Sequence, residues 1–448
     1  MLPKVLCGFH RKASEIAGLL VLTGLLSGLM SAQDPPPWKN DPLFQRLAGA
    51  LDPVAAIDTH THLLGLGAMS FDPKEAAQGP VLLRSTHPWL PAMIKARFDV
   101  TVDPRDWVLT DKSIANARAA MIKKLGEHGY WINHLDYTNT EVVLVNSNIR
   151  QGTDGQRLRW VPTASILLYP LAADHLMARS PRHKDDIATL QRDLQGVLKE
   201  ANLTAVPEDF GTYIIFVDQT LHRWQKQGAV AVKFIDAYLR TLHIAEISQV
   251  QAARLYAEGQ KKPLSRDEYI ALQDFVWRHI LLEAGKLHLV VHIHSSLGIP
   301  PFMRTYDSDV SNLDDVLTDP QFFATPIVLI HGGLPWHEIA AYQALKPNVW
   351  IDISTMAFLY PVPAFADRLR AYLVLAPEKV LYGTDAAPYP SVVGGADVLH
   401  IMLSRATRDA LYLGLAGLVR DSVINEAEAV AIGRGVLRDN ARRLYGWK

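Results

Sequence analysis

A chain of 448 residues is too long for one minimal domain and fits a barrel carrying insertions or a pair of domains. Its 49% hydrophobic content and net charge of -1 exclude an intrinsically disordered chain and leave no basic excess for holding nucleic acid. No fixed-period repeat or low-complexity tract points to a solenoid.

The N-terminus reads as an export signal. Lys4, Arg11 and Lys12 precede an apolar run from Ile16 to Met30, and Ser31-Ala32 supply small residues for cleavage. That run falls short of the roughly 20 apolar residues of a spanning helix. Residues 1–32 are therefore expected to be a signal peptide. The mature protein is expected to be periplasmic or extracellular, without stable membrane association. The sole cysteine, Cys7, lies before the apolar run, so the mature chain has no disulfide and no thiol ligand. Residues 33–53, with Asp34-Pro35-Pro36-Pro37, read as a stiff linker and entry segment.

The apolar run Val54 to Ile57 then leads into Asp58-Thr59-His60-Thr61-His62. On a strand, the i, i+2 spacing puts His60 and His62 on one face. Two neutral imidazoles in one space are half of a first-row metal site. Residues 65–135 form a lid-like excursion with a helix over Ser113 to Glu127, and His87 and Trp89 in it either face substrate or pack the insert. Strands follow at Val142 to Val145 and Leu158 to Thr163, then a second excursion, 166–227, helical over Asp185 to Glu200. The fourth strand, Ala229 to Ile235, encloses Lys233, a buried amine that demands pairing or modification.

A helix with capping-box residues Ser265 and Glu268 is expected to stop at Gly285. In the fifth strand, Leu287 to His294, the last residue His294 is the ligand choice. His292 lies one layer deeper in support, and His288 is a core residue at the far end. The sixth strand ends at Ile330-His331-Gly332-Gly333, the seventh, Asn348 to Ser354, carries Asp352, and the eighth, Lys379 to Asp385, closes on Asp385. Helix-length segments 312–323, 336–346 and 362–376 separate these strands, and helices over 394–448 follow.

Strands alternating with helices define an α/β protein with a parallel sheet. Eight such strands close into a (β/α)8 TIM barrel over 54–448, with long insertions after strands 1 and 3 and a C-terminal helical extension. Reactive residues of such barrels sit at the C-terminal strand ends, where His60, His62, Lys233, His294, His331 and Asp385 fall. Tyr238 and Arg240 past strand four, and Arg304 and Tyr306 past strand five, lie on that rim, and the arginines suit an anionic substrate.

This ordered set resembles the amidohydrolase superfamily, most closely the amidohydrolase-related branch of hydrolases and metal-dependent decarboxylases. Asp58-Thr59-His60-Thr61-His62 is similar to its first-strand Asp-x-His-x-His. Val291-His292-Ile293-His294, Ile330-His331-Gly332-Gly333 and Tyr382-Gly383-Thr384-Asp385 are similar to its motifs on strands five, six and eight. The resemblance implies His60, His62, His294 and Asp385 as ligands of a divalent ion, Zn2+ foremost. His331 is then a catalytic histidine beside one metal or a ligand of a second. Lys233 is either carbamylated to bridge two metals or left free to grip a substrate carboxylate. Asp385 would move the proton of the attacking water, and Asp58 and His292 would orient ligands from behind.

The expected reaction is hydrolysis of an amide or cyclic amide, then of an ester or lactone, in a small anionic molecule. A decarboxylase of the same family and a non-catalytic metal-binding barrel are the rivals. A homo-oligomer is compatible with such a barrel, although no exposed heptad seam specifies one.

Overall fold

All eight strands are present and pair in parallel, each close to its predicted place. The computed structural model describes residues 36–64, 87–103, 106–148, 150–173, 181–296, 304–388 and 394–448. The predicted signal peptide lies outside the described residues. Residues Met1–Pro42 form a unit of their own, described as the short 3-10 turn Pro37–Asn40. The second unit, Leu43–Lys448, holds everything that follows.

Strands β1 (Ala56–Thr61), β2 (Thr140–Asn146) and β3 (Leu158–Val161) make one sheet in that order. Strands β4 (Ala231–Phe234), β5 (Val290–His294), β6 (Ile327–Ile330), β7 (Val349–Asp352) and β8 (Val380–Leu381) make a second. Two seams join them. Isolated parallel bridges pair Trp160 with Ala229 and Thr163 with Lys233. On the other side the Thr59 N–H donates to the Tyr382 carbonyl at 2.9 Å, and the Asp385 N–H to the His60 carbonyl at 2.8 Å.

The strands read as unbroken apolar runs because both faces are buried. Ile57, Val142, Leu144, Val161, Ala231, Val290, Val328, Ile330 and Leu381 share one cluster, against which Tyr445 and Trp447 of the C-terminal segment pack. Each such aliphatic side chain is worth about 1.5–3 kcal/mol on burial. Tyr445 also reaches His292, with its hydroxyl 2.6 Å from Nε2.

Helices occupy the connections, with differences from the sequence-based expectation. The entry segment is not all linker: Pro42–Leu51 is a helix burying Phe44, Leu47 and Leu51. The first excursion contains Leu90–Phe98 and a longer Trp107–Tyr137, broken in backbone conformation at Gly126. His87 and Trp89 pack on each other, ring centroids 5.3 Å apart. The second excursion holds Pro181–Glu200 and Phe210–Lys226.

The capping box of Arg266–Lys286 forms as predicted, but Gly285 is not the stop. It lies within the helix because a Cβ there would meet Thr325 Oγ1 at 2.3 Å. The left-handed exit residue is instead His288 (φ 55°), which is exposed rather than in the core. Segment 312–323 resolves into short turns. Strand β8 is only Val380–Leu381, because the chain leaves the ladder to turn at Asp385, φ 59°.

Gly383 allows that exit to pass close to β7. A Cβ at 383 would sit 2.1 Å from Asp352 Oδ2 and 3.0 Å from the Ser354 Cβ. Both obstacles are buried and held, so Gly383→Ala is expected to cost about 1–3 kcal/mol or more as overpacking. Thermal melts of the variant against the parent check this. An unchanged melting temperature would show that the turn can move aside.

Candidate metal centre

The C-terminal strand ends bring four imidazoles and a carboxylate into one buried space. Ring centroids of His60 and His62 lie 5.1 Å apart, those of His60 and His331 5.1 Å, and those of His294 and His331 4.6 Å. Asp385 Oδ1 is 3.3 Å from His60 Nε2 and 3.6 Å from His62 Nε2. Among the described residues, ligand atoms of His60, His331 and Asp385 all lie within 4.8 Å of one another. Two donors bound to one ion at about 2.1 Å, at a tetrahedral angle, stand roughly 3.4 Å apart. The Oδ1 distances match that spacing, so the donor set fits a divalent cation.

Hydrogen bonds to the other ring atoms fix which nitrogens carry lone pairs. His62 Nδ1 is 3.1 Å from the Asn146 carbonyl and must donate to it, leaving Nε2 as the lone pair near Asp385. His331 Nδ1 sits 2.9 Å from Ser354 Oγ and 2.6 Å from Thr355 Oγ1. Ser354 donates to Asp352, and Thr355 donates to Asp385 Oδ2 at 2.7 Å. Both hydroxyls therefore accept from His331 Nδ1–H, and Nε2 keeps the lone pair. His294 turns Nε2 onto the Ser296 carbonyl at 3.0 Å. It stands beside the three-residue group and not in it, with Tyr238 packed on its ring at 4.2 Å.

Burial holds His60, His292, His294 and His331 well below the usual histidine pKa, with the neighbouring Lys233 adding to it. Neutral imidazole is the form that binds a metal. Burial pushes the Asp385 carboxyl up, against the hydroxyl of Thr355 and the charge of Lys233. Lys233, 1% exposed, has its amine 3.4 Å from His60 Nε2, and burial lowers its pKa against the pull of Asp385 and Asp352. The backbone is strained here. His331, Thr355 and Asp385 have φ of 73°, 66° and 59°, a conformation that costs non-glycine residues of order 1–3 kcal/mol each.

The predicted supporting and rim residues divide. Asp58 lies behind the site, but toward the ligands it holds the backbone of His60 and not its ring. Oδ1 accepts the N–H of His60 at 3.2 Å and of Thr384 at 3.1 Å. His292 is opposite Lys233 in register and hydrogen-bonded to Tyr445, one layer below the site. Arg304 is exposed, capping the 3-10 turn Thr305–Ser308. Arg240 is not on the rim: it is buried, donating to Asp274 at 2.5 Å and to the His243 carbonyl at 2.9 Å. The turn Asp236–Tyr238 carries it inward to anchor the loop.

Asp236, fully buried beside Arg240, is raised to about 6 by burial, with Arg240 opposing. Its folded pKa thus exceeds the ordinary 3.8 of the unfolded chain. The folded state binds the extra proton between those values, so stability falls as pH rises from 3.8 to about 6 and stays low above. Asp236→Asn is expected to remove that slope and to stabilise the protein above pH 7 by up to about 3 kcal/mol. Melts at pH 4 and pH 8 read the difference. An equal shift at both would assign the effect to something other than this carboxyl.

Thr355, Ser354, Asp352 and His400 join the site without a motif that marks them. Only Asp352, at a strand end, carried a legible signal.

Buried polar side chains gathered at the ends of parallel strands define an α/β protein with a candidate metal-dependent active site. A family model described as amidohydrolase matches residues 201–447, and the chain belongs to that family. Among solved structures, a candidate metal-dependent hydrolase from Lactobacillus casei ATCC 334 is similar at TM-score 0.58 and 16% identity, over 89% of this chain and 97% of that one. Uronate isomerase from Thermotoga maritima is similar at TM-score 0.58 and 13% identity, over 90% and 97%. Glucuronate isomerase from Caulobacter crescentus is similar at TM-score 0.52 and 14% identity, over 91% and 95%. At such identities the likeness is one of fold alone. No curated protein matches the chain in sequence.

Proposed function

We propose that the protein is a metal-dependent hydrolase that cleaves an amide, cyclic amide, ester or lactone bond in a small anionic substrate. The observation that carries this reading is the 3.3 Å approach of His60 Nε2 to Asp385 Oδ1, two residues far apart in sequence meeting at neighbouring strand ends. Hydrogen bonds at both seams of the two sheets support an eight-stranded closed barrel as the frame. His60, His331 and Asp385 would hold the ion, with His62 alongside and His294 admitted by a turn of its ring. When bound, a divalent ion such as Zn2+ supplies Lewis acidity, polarising a carbonyl and easing the deprotonation of water.

The protein's own groups then move the protons. Asp385 takes the proton of the attacking water and gives it to the leaving group. The Thr355 hydroxyl donates to Oδ2 while the carboxylate is ionised and can rotate to accept once Oδ2 carries the proton, so Asp385 stays in place through both states. His331, its tautomer fixed by Ser354 and Thr355, would offer its Nε2 lone pair to the ion. Lys233 would meet the anionic part of the substrate from below, and with Arg240 buried it is the group that supports the anionic substrate class.

Lys233 also supports a second reading, a metal-dependent decarboxylase in which its amine grips the carboxylate to be lost. Turnover of amides, lactones and aromatic acids in 18O-labelled water tests both. One labelled oxygen in the product supports hydrolysis. Evolution of CO2 with no label in the organic product favours the lyase. Metal uptake with no turnover across the panel favours a non-catalytic barrel. Residues 1–32 are inferred to direct export, and N-terminal sequencing of protein recovered from the periplasm or medium tests it.

A further inference from the structure

We propose that a buried chain of two histidines, His134 and His400, positions Asp58 and, through it, the backbone segments that present His60 and Asp385. The proposal rests on the metal-centre reading above. Asp58 is wholly buried and ties three parts of the protein together. Its Oδ1 takes the N–H groups of His60 and Thr384, and its Oδ2 takes the Thr384 hydroxyl at 2.5 Å and His400 Nε2 at 3.2 Å. The residue after Thr384 is Asp385, whose N–H donates to the His60 carbonyl at 2.8 Å. One carboxylate therefore sets the spacing between the two donors that stand 3.3 Å apart.

What holds Asp58 from the far side is the chain of imidazoles. His400 lies on helix Ala396–Arg420 and His134 in the last turn of Trp107–Tyr137, both 0% exposed. His134 Nε2 is 3.0 Å from His400 Nδ1. The order of protons follows from donor and acceptor counting. Asp58 accepts, so His400 carries a hydrogen on Nε2, and in the neutral form it offers a lone pair at Nδ1. That lone pair requires a hydrogen on His134 Nε2. His134 is neutral, since burial holds it well below the ordinary histidine value. Its own Nδ1 lone pair ends the chain, with no hydrogen-bond partner among the described residues. His134 thus locks the tautomer of His400. Without it, His400 is free to turn a lone pair toward the carboxylate, and the two would repel. Neither histidine touches the metal centre, so both are positioning residues. Partners of this kind typically control metal affinity by 10- to 100-fold.

The test measures Zn2+ affinity of the full-length apoprotein by competition with a chromophoric chelator. Thermal melts of each apo form confirm folding. His400→Leu is expected to weaken binding roughly 10- to 100-fold, and His134→Leu, which leaves Asp58 and His400 in place, by about 10-fold. His400→Gln and His134→Gln keep a donor at Nε2 and are expected to restore affinity to within a few-fold of the parent. A purely structural role would lower the melting temperature of all four without this rescue. If His400→Leu does not fold, the pair at position 134 decides the matter alone. Folded leucine variants that bind Zn2+ as the parent does would overturn the relay, as would glutamine variants as weak as the leucine ones. A parent protein that takes up no Zn2+ would instead overturn the metal-centre reading.

Discussion

Asp385→Asn is expected to lower kcat by roughly 10^2- to 10^4-fold while the chain stays folded, the range general acid–base catalysis supplies. The substitution is isosteric, so β8 and its turn keep their path, and the Thr355 hydroxyl, which donates to Asp385 Oδ2, turns to accept from the amide N–H that replaces it. What is lost is the ability to hold a proton. The amide cannot take up the proton of the attacking water, whereas the carboxylate can. An amide oxygen still faces His60 and His62, so metal content is expected to fall less than activity. The check is kcat and metal stoichiometry on the same preparation. Full activity in Asp385→Asn would remove Asp385 from the chemistry and leave it a structural acceptor.

The strand ends were legible because the physics there is local. A polar residue closing a buried apolar run has few structural explanations, and His60, His331 and Asp385 each close one. The same logic placed Lys233, whose burial inside β4 is as severe as its neighbours suggested. Legibility ended where a contact depends on a distant segment. Nothing around Thr355 reveals that its hydroxyl will stand between His331 and Asp385, because the left-handed turn that aims it is imposed by tertiary packing against the preference of a β-branched residue. His134 and His400 sit on helices with no pattern linking them. Position past a strand end suggests that Arg240 is exposed on the rim, while a three-residue turn and the waiting carboxylate of Asp274 draw it inside. Gly285 reads as a helix stop in the sequence because its actual cause, the approach of Thr325, lies in another element.

Removal of the metal is expected to abolish turnover and to lower the melting temperature together. The apo site gathers neutral imidazoles whose lone pairs converge, beside a carboxyl that burial penalises for being charged. A divalent cation relieves that penalty only in the folded state, because the ligands come from β1, β6 and β8 and do not meet in the unfolded chain. Binding to the native state alone stabilises by RT ln(1 + [L]/Kd), about 4 kcal/mol at a thousandfold excess over Kd. For a chain of this size that is a shift of several degrees. Differential scanning calorimetry with and without a chelator, followed by re-addition of Zn2+, reads both effects on one sample. Two further outcomes discriminate. A melting temperature that falls while activity persists would place the ion elsewhere in the structure. Loss of activity with no change in melting temperature would mean that the strand ends are preorganised without metal, so that the strain at His331, Thr355 and Asp385 is borne by packing alone.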